Sequence, residues 1–465
     1  MVKKTIKNFV GRLFSAPRSQ SGPQHYPRDV HQIDRRRVSR HAIKVCEVLA
    51  QHGYDAYIVG GAVRDLIAGF IPKDFDVATN ATPEQIRPLF RRARIIGKRF
   101  RLVHVVFGRE IIETSTFRGS AHKNQVTDEH GRILRDNLFG SQKDDAARRD
   151  FTLNALYYDP LNEVVIDYHN GVDDLQQGIV RMIGDPDTRY REDPVRMMRA
   201  LRFAAKLDAT IEPATLAPIS ELAPLLGNVP GSRLVDELIK LLTCGNAMAC
   251  IISLRDANLH HPVLPLLDPT WKLENGAAFV QLALDRTDHR VRTGRPNSPG
   301  FLFAALLWPL VRERWQHYQQ EGQHLIQALN DASDEVILQQ TRALPIQRRF
   351  QSDMRDIWFM QPRFEKSSPK AIRRMWSQPR FKAAVDFMQL RAEAKEVDSV
   401  LAQWWMDLAN ANDTKREDML DALRGNKAGS GPAPAKRRSR RRRRPSKKHR
   451  QTDSHQPDSA PSGDT

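Results

Sequence analysis

Tyr57-Ile-Val-Gly-Gly-Ala-Val-Arg-Asp65, followed shortly by Lys73-Asp-Phe-Asp-Val77, decides how the rest of the chain is read. Ala56 to Val59 has the apolar content of a short buried strand, and Gly60-Gly61 ends it in a tight turn. Ala62 to Ala68 then carries apolar residues at helical spacing. A glycine turn feeding a helix aims backbone N–H groups outward, with the positive end of the helix dipole behind them. Arg64 on the first turn adds a fixed charge, so Gly60, Gly61 and Arg64 form a candidate phosphate cradle. Asp74 and Asp76 fall at i and i+2 of a second predicted strand, which places both on one face with Cα atoms roughly 7 Å apart. Asp is depleted in strands, and two like charges on one face repel unless a cation lies between them. Either feature alone has a plain structural reading, a turn or an exposed strand end. Together they point to Mg²⁺ and nucleotide chemistry.

At 465 residues the chain is long enough for several domains and an ample core. Cys46, Cys244 and Cys250 give no even, regularly spaced framework, which indicates reduced thiols in a reducing compartment. No apolar run approaches the ~20 residues of a transmembrane helix. The formal charge is +18, of which Lys436 to Arg450 contributes 11 cations and no acid. Setting that run aside with the three aspartates of the last fifteen residues leaves +10 on residues 1–435. A body that is basic without its tail favours a polyanionic partner such as nucleic acid or anionic lipid over a merely solubilising surface charge.

Domain organisation reads as an α+β chain. Residues 1–38 are a basic extension and linker, with apolar residues at helical spacing near the start. That segment reads either as a frayed terminus or as a basic amphipathic helix making weak contact with a membrane surface. Residues 39–185 form a mixed-sheet head, 186–260 a helical neck, 261–424 a helical body, and 425–465 a disordered Lys/Arg/Ser/Pro tail. Within the head, a helix is expected from Thr82 to about Arg92. Strands are expected at Arg94–Ile96, Leu102–Phe107, Glu110–Thr116, Val164–Asp167 and Ile179–Ile183. Gly119 to Asp145 reads as a polar loop near the site.

Further candidates lie downstream. Asp150, after Arg148-Arg149, offers a third carboxylate at a helix start, or is simply an N-cap. Glu113, on the Ile111-Ile-Glu-Thr-Ser-Thr116 strand, is its rival, and spacing does not choose between them. Asp193 and Arg196 share a helix face and offer an acceptor and a donor, enough to read the edge of a base. Asp193-Pro194 is also an N-cap and first-position signature, with Arg196 pairing to Asp193. His260-His261 has no acidic partner at metal-ligand spacing, and Trp404-Trp405 reads as packing.

Taken in order, Gly60-Gly-Ala-Val-Arg-Asp65, Lys73-Asp-Phe-Asp76, Arg148-Arg-Asp-Phe-Thr-Leu-Asn154 and Arg191-Glu-Asp-Pro-Val-Arg196 resemble the motif set of the class II nucleotidyltransferases. That group holds the bacterial poly(A) polymerases and the CCA-adding tRNA nucleotidyltransferases, within the DNA polymerase beta superfamily. Ile95-Ile-Gly-Lys-Arg-Phe-Arg-Leu-Val-His-Val-Val-Phe-Gly108 and the arginine-rich C-terminus resemble the poly(A) polymerase branch in particular. The resemblance implies template-independent addition of AMP from ATP to RNA 3′ ends, with CCA addition as the alternative. By it Asp74 and Asp76 are ligands of Mg²⁺, with Mn²⁺ able to substitute, and Asp150 is part of the active site. Gly60, Gly61 and Arg64 contact the triphosphate, Arg148 and Arg149 approach the nucleotide, Asp193 and Arg196 select the base, and Arg199 is a further nucleotide contact. A cytoplasmic monomer associated with RNA-degradation machinery is the expected setting. A noncatalytic RNA-binding protein is the reading from another class, and the Asp74/Asp76 pair argues against it.

Overall fold

The structure, a computed structural model, describes residues 22–97, 101–119, 126–127, 133–135, 139–365 and 368–428. The N-terminal amphipathic pattern and the arginine run lie outside them. Twelve strands are described: β1 (Gln24–Tyr26), β2 (Ala56–Val59), β3 (Asp76–Thr79), β4 (Ala93–Ile96), β5 (Leu102–Phe107), β6 (Glu110–Thr116), β7 (Val126–Thr127), β8 (Ile133–Arg135), β9 (Leu156–Asp159), β10 (Val164–Asp167), β11 (Ile179–Val180) and β12 (Thr210–Ile211). Eight of them form one mixed sheet in the order β1-β10-β9-β2-β3-β6-β5-β4, in which only β3 and β6 pair in parallel. β7 pairs with β8, and β11 with β12.

One sheet face packs on the helix Arg40–Gln51. Its start is fixed by Ser39, whose hydroxyl accepts from the His41 and Ala42 amides, each at 3.2 Å. Ala42, Val45, Cys46 and Leu49 pack with Ile58, Val77, Val105 and Ile112, all nearly inaccessible to water. A smaller cluster of Val59, Ala78, Phe117, Ala146, Tyr157 and Ile166 covers part of the opposite face. The remainder of that face stays open, and the acidic residues stand there.

Several local expectations need correction. Asp74 precedes β3 rather than lying in it, although the side-chain alternation persists, with Phe75 buried between exposed Asp74 and Asp76. The helix begun by the Thr82/Gln85 capping box turns 3₁₀ at Arg87 and stops at Leu89, because Pro88 withholds the donor a longer helix needs. The stretch read as linker contains β1, which extends the sheet edge through β10. The expected loop from Gly119 to Asp145 ends in a helix, Gln142–Ala147, capped by Ser141 and Asp144. The Ile179–Ile183 strand is shortened to β11.

From Pro186 to Asn410 the architecture is helical except for β12. Phe151, Leu153, Val180 and Met182 from the head join the helical core with Tyr190, Met197, Leu201 and Phe203. The Arg148–Asn154 turn is therefore pinned between sheet and helices. Trp405 is buried and donates to the Phe364 carbonyl at 3.1 Å, as a packing residue should. The helix Asp413–Ala428 belongs to a second compact unit that begins at Ala411. No described helix is long and apolar enough to cross a membrane.

Candidate active site

Strand register builds the site. A single row crosses the sheet as His25, Ile166, Tyr157, Val59, Asp76, Glu113, His104 and Arg94. Register partners on adjacent strands share a face, so Asp76 and Glu113 stand side by side, with Asp74 two residues upstream on the same side. Solvent reaches Asp76, yet its surroundings push its carboxyl up to about 6: burial contributes most, then the Glu113 charge, with Asp74 adding to it and Arg149 opposing. Among the described residues no lysine or arginine ion-pairs with Asp74 or Asp76. His104 lies 3.3 Å from Glu113 without the alignment of a hydrogen bond. Three acceptor-only groups on one sheet face supply the oxygen donors that a hard divalent cation takes.

The glycine turn adjoins this row. Gly60 has φ +71° and ψ −126°, and its amide donates to Leu156 O at 3.1 Å. Its positive φ calls for glycine, and a Cβ there would sit tightly against Arg149 Nη1, at 3.0 Å. The first-turn amides of Gly61, Ala62 and Val63 have no intrahelical acceptor. Arg149 lies over the Tyr157 ring at 5.1 Å, donates to the Tyr157 hydroxyl and the Asp145 carboxylate, and reaches Asn154 O at 3.2 Å. Arg148 shares Asp145, at 3.3 Å.

Arg64 does not face the open sheet. It is 5% exposed and donates to Asp65 Oδ1 and to Asn154 Oδ1, while Phe203 covers its guanidinium at 4.6 Å. Asp65 in turn accepts from Lys206 at 2.7 Å. Asn154 donates to Asp150 Oδ1 at 2.9 Å, and Arg199 donates to Asp150 Oδ2 at 2.6 Å. Burial alone would raise the Asp150 carboxyl, but Arg199, Asn154 and the Phe151 amide together hold it at about 2. Both Asp150 oxygens are thus engaged by donors of this chain. The circuit Lys206–Asp65–Arg64–Asn154–Asp150–Arg199 ties the helix Gly61–Ile67 to the helix Val195–Leu207.

Asp193 and Arg196 do not pair, contrary to the capping alternative. The Asp-Pro cap forms eight residues earlier, where Asp185 accepts from the Thr188 amide at 2.9 Å ahead of Pro186. Asp193 instead has Oδ2 held by Arg233 at 2.8 Å, while Oδ1 is buried without a partner. Arg196 donates through Nη1 to Arg189 O and Glu192. An orphaned buried carboxylate oxygen is costly and asks for a donor from a ligand.

The sequence matches three family models in succession: the poly A polymerase head domain over residues 56–181, the probable RNA and SrmB-binding site of polymerase A over 208–270, and the polymerase A arginine-rich C-terminus over 321–445. Poly(A) polymerase I of Salmonella typhi is 43% identical over 431 residues, spanning 90% of this chain and 91% of that one. The chain belongs to the bacterial poly(A) polymerases. It is a nucleotidyltransferase, and its family works on a nucleotide with a divalent metal. The CCA-adding enzyme of Enterococcus faecalis is 38% identical over 204 residues, only 44% of this chain and 49% of that one. A tRNA-processing enzyme solved with CTP shares the fold, with a TM-score of 0.55 at 19% identity over 82% of this chain and 98% of that one.

Two residues of the polymerase escaped sequence reasoning. Arg189 donates to both the Arg148 and Arg149 carbonyls, at 2.7 and 2.6 Å, and so couples the neck to the paired-arginine turn. Arg233, which holds Asp193, lies forty residues away from it in a different helix, where no local signal points to it. One bland reading also changes: His260 does find an acid, Asp268, at 3.1 Å. The other Asp268 oxygen accepts from Arg255 at 2.6 Å, and His260, His261 and Asp268 bring one potential ligand atom each within 4.8 Å of one another.

Proposed function

We propose that this polymerase adds AMP from ATP to RNA 3′ ends without a template, releasing pyrophosphate. The observation that carries the reading is the Asp76–Glu113 register pair with Asp74 beside it, open on the sheet face next to the glycine turn. Asp74, Asp76 and Glu113 would hold Mg²⁺, or Mn²⁺ in its place, which lowers the pKa of the attacking 3′-hydroxyl and neutralises the departing pyrophosphate. Glu113 is the third carboxylate in preference to Asp150, because both Asp150 oxygens are already bonded.

The chain's own groups supply the rest. The Gly61 to Val63 amides and Arg148 face phosphate, while Arg149 sets the field at Asp76 and shapes the turn against Gly60. Arg64 and Arg199 act from behind, fixing the turn and Asp150. Asp193 Oδ1 accepts from the exocyclic amino group of adenine, and Arg196 donates to the neighbouring ring nitrogen. The basic body and tail hold RNA of varied sequence. A cytoplasmic monomer fits this reading, with weak membrane-surface contact through the N-terminus and RNA-degradation machinery as a partner.

Asp76→Ala removes nearly all AMP incorporation while leaving the protein folded and RNA-bound; incorporation at the wild-type rate by that variant overturns the assignment. Mn²⁺ titration followed by electron paramagnetic resonance separates the two third-ligand candidates. Glu113→Gln weakens binding by about tenfold or more, and Asp150→Asn leaves it within about twofold. The reverse order would restore Asp150 as the ligand.

A further inference from the structure

Cys244 follows the helix Gly231–Leu242, and Cys250 sits on the helix Ala247–Asp256. Their Sγ atoms are 3.4 Å apart and neither is in a disulfide. Gly245, with φ +96°, lets the chain reverse tightly enough for the sulfurs to meet. Cys250 is fully buried, whereas Cys244 is partly accessible.

The corner between the two cysteines is clamped on several sides. Asn246 donates to Ala205 O at 3.0 Å, near the end of the helix that carries Arg196, Arg199 and Arg202. The Ala247 amide donates to Asp288 at 2.9 Å, and Arg292 reaches Gly245 O at 3.2 Å. The helix Gly231–Leu242, which Cys244 follows, also carries Arg233, the anchor of Asp193. A change at this corner therefore bears on both helices around the base-reading pair.

We propose that Cys244 and Cys250 are a dithiol that a hydroperoxide converts to a disulfide, and that the disulfide slows the polymerase. Cys244, the accessible sulfur, attacks one peroxide oxygen: an S–O bond forms, the O–O bond breaks, and the other oxygen leaves with the thiol proton as water or alcohol. Cys250 then attacks the Cys244 sulfur, forming S–S and breaking S–O, and its proton leaves in a second water. Two thiols lose two electrons and the peroxide gains them. Solvent access marks Cys244 as the attacking group, and its thiol is held below the ordinary range by the Sγ–Sγ hydrogen bond to Cys250 against burial, with the Asn246 amide and Arg202 assisting and Asp288 opposing. Bond formation closes the sulfur gap by about 1.4 Å and pulls the corner against Ala205.

The slowing rests on the function proposed above; the thiol chemistry does not. The full chain is exposed to hydrogen peroxide, its free thiols are blocked, and it is digested with trypsin, which leaves both cysteines on one peptide, Leu241–Arg255. That peptide loses about 2 Da and resists alkylation until reduced. Cys46→Ser behaves like wild type, and Cys244→Ser shows no such loss. Oxidised protein incorporates AMP at least about threefold more slowly, dithiothreitol restores the rate, and Cys244→Ser is resistant. Over-oxidised Cys244 without linkage, or an unchanged rate in fully linked protein, overturns the proposal. A reduced enzyme that incorporates no AMP would refute the proposed function and leave the peptide mass to decide the dithiol.

Discussion

Replacing Arg199 by Met tests the circuit behind the active site. Arg199 donates two nitrogens to Asp150 Oδ2, and the carboxylate is 11% exposed at its side chain. With the native carboxyl at about 2 and the unfolded value near 3.9, each unit being worth about 1.36 kcal/mol, the native contacts of Asp150 contribute about 2.6 kcal/mol at neutral pH. Because the folded value is depressed, that stability is fully present above the unfolded value and is lost as pH falls through about 2. The Arg199→Met change leaves a buried charge with only the Asn154 and Phe151 donors, and breaking one side of a buried pair costs about 3–5 kcal/mol. Chemical denaturation at several pH values measures it. A destabilisation of about 3 kcal/mol is expected at pH 7, shrinking below about pH 4 as the variant's carboxyl protonates in both states. Adding Asp150→Asn to the Arg199→Met variant recovers part of the loss. A destabilisation under about 1 kcal/mol, or one that does not vary between neutral and acid pH, refutes the role given to this pair.

Other perturbations address the remaining parts. Gly60→Ala forces a side chain into a glycine-only conformation 3.0 Å from Arg149; the expected cost is about 1–3 kcal/mol in thermal unfolding, with kcat reduced more than RNA affinity. Arg233→Met frees the Asp193 carboxylate, so KM for ATP rises and discrimination against GTP and UTP weakens in competition assays. Deleting residues 430–465 lowers RNA affinity, and the salt slope falls by about 0.7 for each phosphate the tail no longer neutralises, with nucleotide choice unchanged in single-nucleotide reactions.

Much of the head was legible because its signals are local. The turn at Gly60-Gly61, the strands Leu102–Phe107 and Glu110–Thr116, and the alternation around Asp74 and Asp76 all follow from residue type and period. β9 was missed because its four residues are central, nearly all buried, and show no alternation. β1 lies in a polar stretch and becomes a strand only through pairing with β10. The proposed preference for Glu113 over Asp150 rests on strand register and hydrogen-bond accounting, neither of which spacing carries. Asp193 illustrates the same limit. One of its two readings paired it with Arg196 three residues away, yet the structure supplies Arg233 from another helix and leaves one oxygen open. Helical spacing names the residues that share a face; tertiary packing decides which of them meet.

The role proposed for the carboxylate row at Asp74, Asp76 and Glu113 is addition of AMP to general RNA ends. Incubating the purified chain with Mg²⁺, an unstructured RNA and one nucleotide at a time tests it most directly. Long tails from ATP alone, with little extension from CTP, GTP or UTP, are the expected result. Extension confined to tRNA and dependent on CTP would contradict it.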